Sequence, residues 1–340
     1  MPCLVRPVGS APSLGDPLVD EYLRFTAARV RANTLTAQAF DLKVFFTVVP
    51  KAPQQVTVTD VLLFIEAQRS PRRGGNVIRL ADGEAGLAAS TIKRRLATVS
   101  SLFDYLFLRG ICDRNPVPRS LGARHARPDG RGHGGRRGAP LVRAPRKLPR
   151  VLAPAEVGAL TGALRTDRDR AMVALMVHGG LRRCEVLGLR FEHVQVGDRR
   201  VFVADGKGGH QRLVPVADVF FTTLASYLSG ERPAEAVDDH VFVVLKGPNR
   251  GRPLTAAGLD EVMAGARGRA GLSHASCHEL RHTCFTRLRE AGMALEAIQA
   301  QAGHASIETT RVYLHLSNDW LAGEYQRAMA ILDGLHEEEP

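Results

Sequence analysis

Six polar residues stand where the surrounding pattern of the sequence calls for something inert. Arg182 follows Gly179-Gly180-Leu181 inside an apolar stretch from Met172 to Leu189, and Lys207 sits in the turn Asp205-Gly206-Lys207-Gly208-Gly209. His278 and Arg281 are three residues apart, which places them on one face of a helix. His304 follows Gly303, and Tyr313 comes nine residues later. As a set these residues suit a phosphate site with a nucleophile. Two guanidiniums can each make paired hydrogen bonds to the non-bridging oxygens of a phosphodiester. They would also stabilise the charge that builds up in a pentacoordinate transition state. A phenol can attack phosphorus once its proton is removed, its free pKa being about 10. A lysine on a hairpin tip can protonate a leaving oxygen, and histidines accept, donate or hold protons near neutrality. The reaction calls for no metal and no nucleotide. Singly, each residue has an ordinary reading as a surface arginine, a core tyrosine or a solubilising lysine.

The elements that must position this set are mostly helical. Apolar spacing predicts helices over 154–164 and 169–189, with Arg182 inside the second. Strands are expected at 200–204 and 211–216, joined by the glycine-rich turn, and again at 241–245. Helices are expected over 218–228, 259–269, 277–291, 295–302, 307–315 and 320–335. Upstream, Asp16-Pro17 opens a helix with Leu18, Tyr22 and Phe25 on one face, Asp as its cap and Pro in its first turn. A second helix follows Asn33 and carries Leu35, Phe40, Val44 and Phe45. A third runs from about Thr59 through Leu62, Leu63 and Ile65. The fourth starts at Ser90, shows Ile92, Leu96, Val99, Phe103 and Leu106, and stops at Gly110. The fold class is therefore mainly α with a small β-sheet (α+β), an N-terminal helical bundle preceding the domain that holds the polar set.

Between them, residues 119–150 carry nine Arg and one Lys against a single acid, Asp129, among Gly and Pro. Such a stretch cannot bury enough apolar surface to fold alone and reads as a basic linker. Domains are expected at 12–118 and 151–336. The 340 residues suffice for two cores. Forty-six Lys and Arg against 35 Asp and Glu give a net charge of +11, which favours a polyanionic partner. No apolar run approaches the length of a spanning helix, so nucleic acid is preferred to a membrane. The residues expected to face it are Lys93, Arg94 and Arg95 on the fourth helix and Arg136 and Arg137 in the linker. Five scattered cysteines without a Cys-x-x-Cys pair argue against a disulfide framework or a zinc ribbon and for a reduced, cytoplasmic setting.

The segments Gly180-Leu181-Arg182-Arg183-Cys184-Glu185-Val186-Leu187-Gly188-Leu189, Gly206-Lys207-Gly208-Gly209, His278-Glu279-Leu280-Arg281-His282, Gly303-His304 and Tyr313 resemble, in this order, the successive boxes of the tyrosine recombinases. That is the family of phage integrases and Xer proteins. The resemblance covers residues 152–335; the N-terminal bundle is similar to the family's core-binding domain in type and position. It implies that Arg182 and Arg281 clamp a scissile DNA phosphate, that Lys207 is the general acid on the departing 5′-oxygen, and that His278 accepts a proton. It further implies that His304 hydrogen-bonds the phosphate, that Glu185 supports the site, and that Tyr313 forms a 3′-phosphotyrosyl link. Double-stranded DNA held in a two-domain clamp, four protomers on paired sites, room for accessory proteins, and a place at the nucleoid follow from the same resemblance. Cys184 stands where the family commonly has Ser, and Cys284-Phe285 replaces Phe-Ala.

Three other readings compete. His278-Glu279-Leu280-Arg281-His282 also spells the H-E-x-x-H of zinc proteases, but Phe285 and Leu288 stand where a metzincin has Gly and His. Glu279 has a simpler use as the capping-box partner of Ser276. A DNA-binding protein without catalysis would share the charge but has no need of Tyr313 beside two arginines and two histidines. A type IB topoisomerase would share the chemistry without exchanging strands.

Overall fold

The structure, a computed structural model, describes residues 4–5, 11–70, 86–118, 141–143, 149–204, 206, 211–236 and 238–303. The chain divides into two compact units, 1–146 and 147–340.

The first unit is a bundle of helices α1 (Pro17–Ala27), α2 (Ala32–Val48), α3 (Val58–Arg69) and α4 (Ala89–Leu108). Asp16 caps α1 by accepting from the N–H groups of Leu18 and Val19 at 3.0 and 3.1 Å. Thr57 and Asp60 form a capping box at the start of α3. The expected stripe of α4 is the bundle's spine: Ile92, Leu96, Val99, Phe103 and Leu106 are all buried. Phe45 of α2 packs edge-on against Phe64 of α3 at 5.0 Å and Phe103 of α4 at 6.5 Å. Elsewhere the expected face holds only in part: Tyr22, Leu35 and Phe45 are buried as expected. Phe25, Phe40, Leu62 and Leu63 are exposed, and Leu23, Leu42, Val61 and Phe64 are buried instead. These helices are apolar on more than one side, so composition alone did not choose between faces. Val142, from within the stretch read as a linker, is buried in this unit's core.

The second unit contains α5 (Pro154–Gly162), α6 (Asp167–His178), α7 (Arg183–Leu187), strands β1 (Val194–Gln195), β2 (Arg200–Val203) and β3 (Arg212–Pro215), then α8 (Asp218–Gly230), α9 (Ala256–Arg269), α10 (Cys277–Glu290) and α11 (Leu295–Ala302). The sheet is antiparallel in the order β1-β2-β3, with Val194 opposite Val201 and Val201 opposite Val214. Helix α6 is buried from Ala171 to Val177 and packs on α8 and α10. The unit is mainly helical with one small sheet, as expected.

Two expectations are corrected. Residues 169–189 do not form one helix. Gly179 ends α6, Gly180 takes a left-handed φ of 66°, and α7 restarts at Arg183. Residues 241–245 join no sheet. Val243 makes an isolated bridge with Pro253, next to one between Arg190 and His240, and Pro253 has no N–H with which to extend a ladder. The expected helices over 307–315 and 320–335 lie outside the described residues.

Candidate active site

The break between α6 and α7 is what creates the site. Arg182 is the capping residue of α7, in extended backbone (φ −77°, ψ 154°), rather than a residue on a helix wall. Its N–H donates to Glu185 Oε2 at 2.8 Å and its Nη1 to Glu185 Oε1 at 2.7 Å. The Glu185 carboxylate is wholly buried. From β3, Arg212 reaches the same carboxylate with both ends of its fork, Nη1 to Oε1 at 3.0 Å and Nη2 to Oε2 at 2.8 Å. From α10, Arg281 Nη1 lies 4.0 Å from Oε2.

Arg281 is fixed by backbone. It donates through Nη1 to the Gly180 carbonyl and through Nη2 to the Ala302 carbonyl at 2.7 Å. Its guanidinium carbon stands 4.8 Å from the centre of the Phe285 ring. A side chain at Gly180 would run into that same ring, so the glycine serves both the left-handed turn and the close approach of α10. Segments distant in sequence, 180–185, 212, 281 and 301–303, thus meet around one carboxylate. Three guanidiniums against one carboxylate leave an excess of positive charge. Arg182, with 20% of its side chain exposed, is the most open of the three. Burial pushes the Glu185 carboxyl up, but hydrogen bonds from Arg212 and the Arg182 N–H outweigh it and hold the group below its ordinary value.

His278 and His282, one turn apart on α10, face each other with their Nε2 atoms 2.8 Å apart and their rings nearly perpendicular. Burial, then the charges of Arg281 and Arg182, lower the His278 pKa. Burial, His278 and Arg281 lower that of His282 to about 4. Both rings are therefore neutral near pH 7, and a neutral ring can accept a proton. Glu279 is committed to the helix start, its Oε2 accepting the Ser276 N–H at 2.7 Å, which leaves the protease reading of this helix without its general base. Among the described residues no group of three or more His, Cys, Asp or Glu could hold a metal ion.

The structure thus brings together Arg182, Glu185, His278 and Arg281. Lys207, His304 and Tyr313 lie outside the described residues, as do Arg136 and Arg137 of the basic linker. On α4, Lys93 is exposed; Arg94 is half-exposed with its guanidinium on the buried Asp41. Arg95 is a correction: it is buried, donating to Gln68 and lying 3.7 Å from Asp41, so it faces the bundle interior rather than the surface. Arg212 was not singled out from the sequence. The signal was there, since alternation along β3 puts Arg212 on the same face as the buried Val214. An arginine on an inward face needs a buried acid.

A mainly helical domain that gathers arginines and neutral histidines around one buried carboxylate suits an enzyme acting on a phosphodiester. The family model described as "Phage integrase family" matches residues 150–319. The tyrosine recombinase XerC of Serratia marcescens is 28% identical over 323 residues, covering 94% of this chain and 96% of that protein. XerC of Yersinia pestis is 31% identical over 249 residues, covering 72% and 74%. The fold is similar to that of the Tn1549 transposon integrase in complex with circular intermediate DNA (17% identity, TM-score 0.66, 91% of this chain and 97% of that one). It is also similar to that of a lambda integrase dimer bound to a COC′ core site (18% identity, TM-score 0.62, 89% and 95%). The chain belongs to the phage integrase family of tyrosine recombinases, enzymes that cleave and rejoin DNA strands. Among the described residues no helix is long and apolar enough to cross a membrane.

Proposed function

We propose that this chain performs site-specific recombination of double-stranded DNA with Tyr313 as nucleophile and the Arg182–Glu185–Arg281 cluster as its phosphate clamp. The observation that carries the reading is that cluster: two guanidiniums from separate elements, aimed by a buried carboxylate and by backbone carbonyls. Such donors are held in place before substrate arrives, and preorganisation of this kind is what stabilises developing charge. In the step proposed, the Tyr313 oxygen forms a bond to phosphorus while the bond from phosphorus to the 5′-oxygen breaks. The phenolic proton passes to His278, whose lowered pKa keeps it ready to accept, and the 5′-oxygen takes a proton from Lys207. His304 hydrogen-bonds the phosphate. One phosphoester replaces another, so the attack of a different 5′-hydroxyl reverses the step without ATP. Four protomers on paired sites would complete an exchange, at the nucleoid in the cytoplasm. Lys93, Arg94 and the linker residues Arg136 and Arg137 would contact DNA phosphates.

Covalent capture tests the reading. Wild-type and Tyr313→Phe protein are mixed with fragmented, nicked host DNA, denatured in detergent, and the attached DNA sequenced. Adducts from the wild type alone, enriched for one sequence, are expected. Adducts from both proteins would assign a different nucleophile. Adducts from neither, with binding intact, would mean a DNA-binding protein that does not cut.

A further inference from the structure

We propose that Arg212 is a positioning residue for strand cleavage, acting through Glu185 on Arg182. The proposal rests on the reading of Arg182 as a phosphate ligand. Arg212 joins Glu185 of α7 to Gln301 of α11. Its Nη1 and Nη2 hold both oxygens of Glu185, at 3.0 and 2.8 Å, and its Nε donates to the Gln301 carbonyl at 2.8 Å. The side chain is 8% exposed, so these bonds are sheltered from water. Gly303 packs directly on it: a Cβ there would lie 3.0–3.2 Å from the Arg212 side chain, and the glycine's φ is 60°. Arg212 also begins β3, the strand that follows the glycine-rich segment holding Lys207 in the sequence.

The carboxylate it grips is the one that aims Arg182. Glu185 Oε1 accepts from Arg182 Nη1 and Arg212 Nη1, while Oε2 accepts from the Arg182 N–H and Arg212 Nη2. Without Arg212, Arg182 is, among the described residues, the one cation left hydrogen-bonded to Glu185, and it can swing with the carboxylate or close on it more tightly. In either case it is drawn from the direction a phosphate needs. All three guanidinium nitrogens of Arg212 are committed to Glu185 and the Gln301 carbonyl, so it acts at one remove. Only a planar fork meets both carboxylate oxygens and the carbonyl together, and a lysine cannot.

The experiment compares wild type, Arg212→Met, Arg212→Lys, Arg182→Lys and the Arg182→Lys/Arg212→Met double variant. Nicked, fragmented host DNA is the probe, and three quantities are read: melting temperature, DNA affinity by anisotropy, and the single-turnover rate of adduct formation. Arg212→Met is expected to lower the adduct rate at least tenfold while DNA affinity stays within twofold, with Arg212→Lys in between. In the Arg182→Lys background the further loss should be less than threefold, because the effect passes through Arg182. If Arg212→Met fails to fold, Arg212→Lys carries the comparison. Wild-type rates in folded Arg212 variants, or losses that multiply in the double variant, would overturn the proposal. A wild-type rate in Arg182→Lys alone would instead sink the clamp reading on which it rests, and no adduct from wild type would sink both.

Discussion

At the scale of single residues, the proposed chemistry depends on side chains whose direction is set before DNA arrives. Arg281 is 3% exposed, and both of its terminal nitrogens are spoken for by the carbonyls of Gly180 and Ala302. Losing one preorganised donor of this kind costs other enzymes about 10²–10³-fold in rate. Arg281→Ala should lower the rate of Tyr313-dependent adduct formation by about that factor, and an undiminished rate would remove Arg281 from the clamp. His282 offers a test without DNA. Its cation is disfavoured in the folded protein, first by burial, then by His278 and Arg281, which takes its pKa from 6.5 to about 4. The unfolded chain therefore takes up the proton first as pH falls. The stability owed to the neutral ring is fully present above about 6.5, and it is lost as pH drops toward 4. Melting temperature should fall over that window in the wild type and fall less steeply in His282→Asn. Equal slopes would mean that the ring titrates as it does in water.

At the scale of elements, the parts of the fold that the sequence made legible are those with one clean apolar stripe. Helix α4 is the best case, its expected inward residues all buried; α10 begins where its cap predicts and α11 where its spacing does. The candidate site was legible as an order of polar residues, but its geometry was not. Residues 169–189 are apolar on both sides of Gly179-Gly180, so periodicity carried straight across a break that only tertiary packing reveals. The Glu185–Arg212 pairing spans 27 residues between a helix and a strand, and local pattern does not report such distances. Gly180→Ala tests the break itself. A left-handed backbone costs a non-glycine residue about 1–2 kcal/mol. Forcing a methyl group toward the Phe285 ring adds about 1–3 kcal/mol of overpacking. Urea denaturation should show a loss in that combined range. The adduct rate should fall as well, because the Gly180 carbonyl that anchors Arg281 must move. A variant as stable as the wild type would mean that α10 yields easily at this point.

At the scale of the whole chain, the net charge of +11 sets the expected physics of binding. A protein that neutralises several phosphates releases as many counterions, so affinity falls linearly with salt on logarithmic axes, with a slope near −0.9 per phosphate contact on duplex DNA. The distribution of charge within the first unit decides which basic residues count toward that slope. Lys93 is exposed on α4, whereas Arg95 on the same helix is buried against Gln68 and Asp41, and Asp41 itself has no exposed surface. The two residues should therefore separate cleanly. Lys93→Ala should leave the melting temperature unchanged and reduce the salt slope by about 1, as the loss of one phosphate contact does. Arg95→Ala should leave the slope alone and destabilise the bundle by up to about 3 kcal/mol, since it strips a partner from a buried carboxylate that Arg94 still holds. Anisotropy titrations between 50 and 200 mM salt, paired with thermal melts, read both quantities. If Arg95→Ala changed the slope and spared the fold, its guanidinium would have to turn outward when DNA binds, and the inward placement would describe only the free protein.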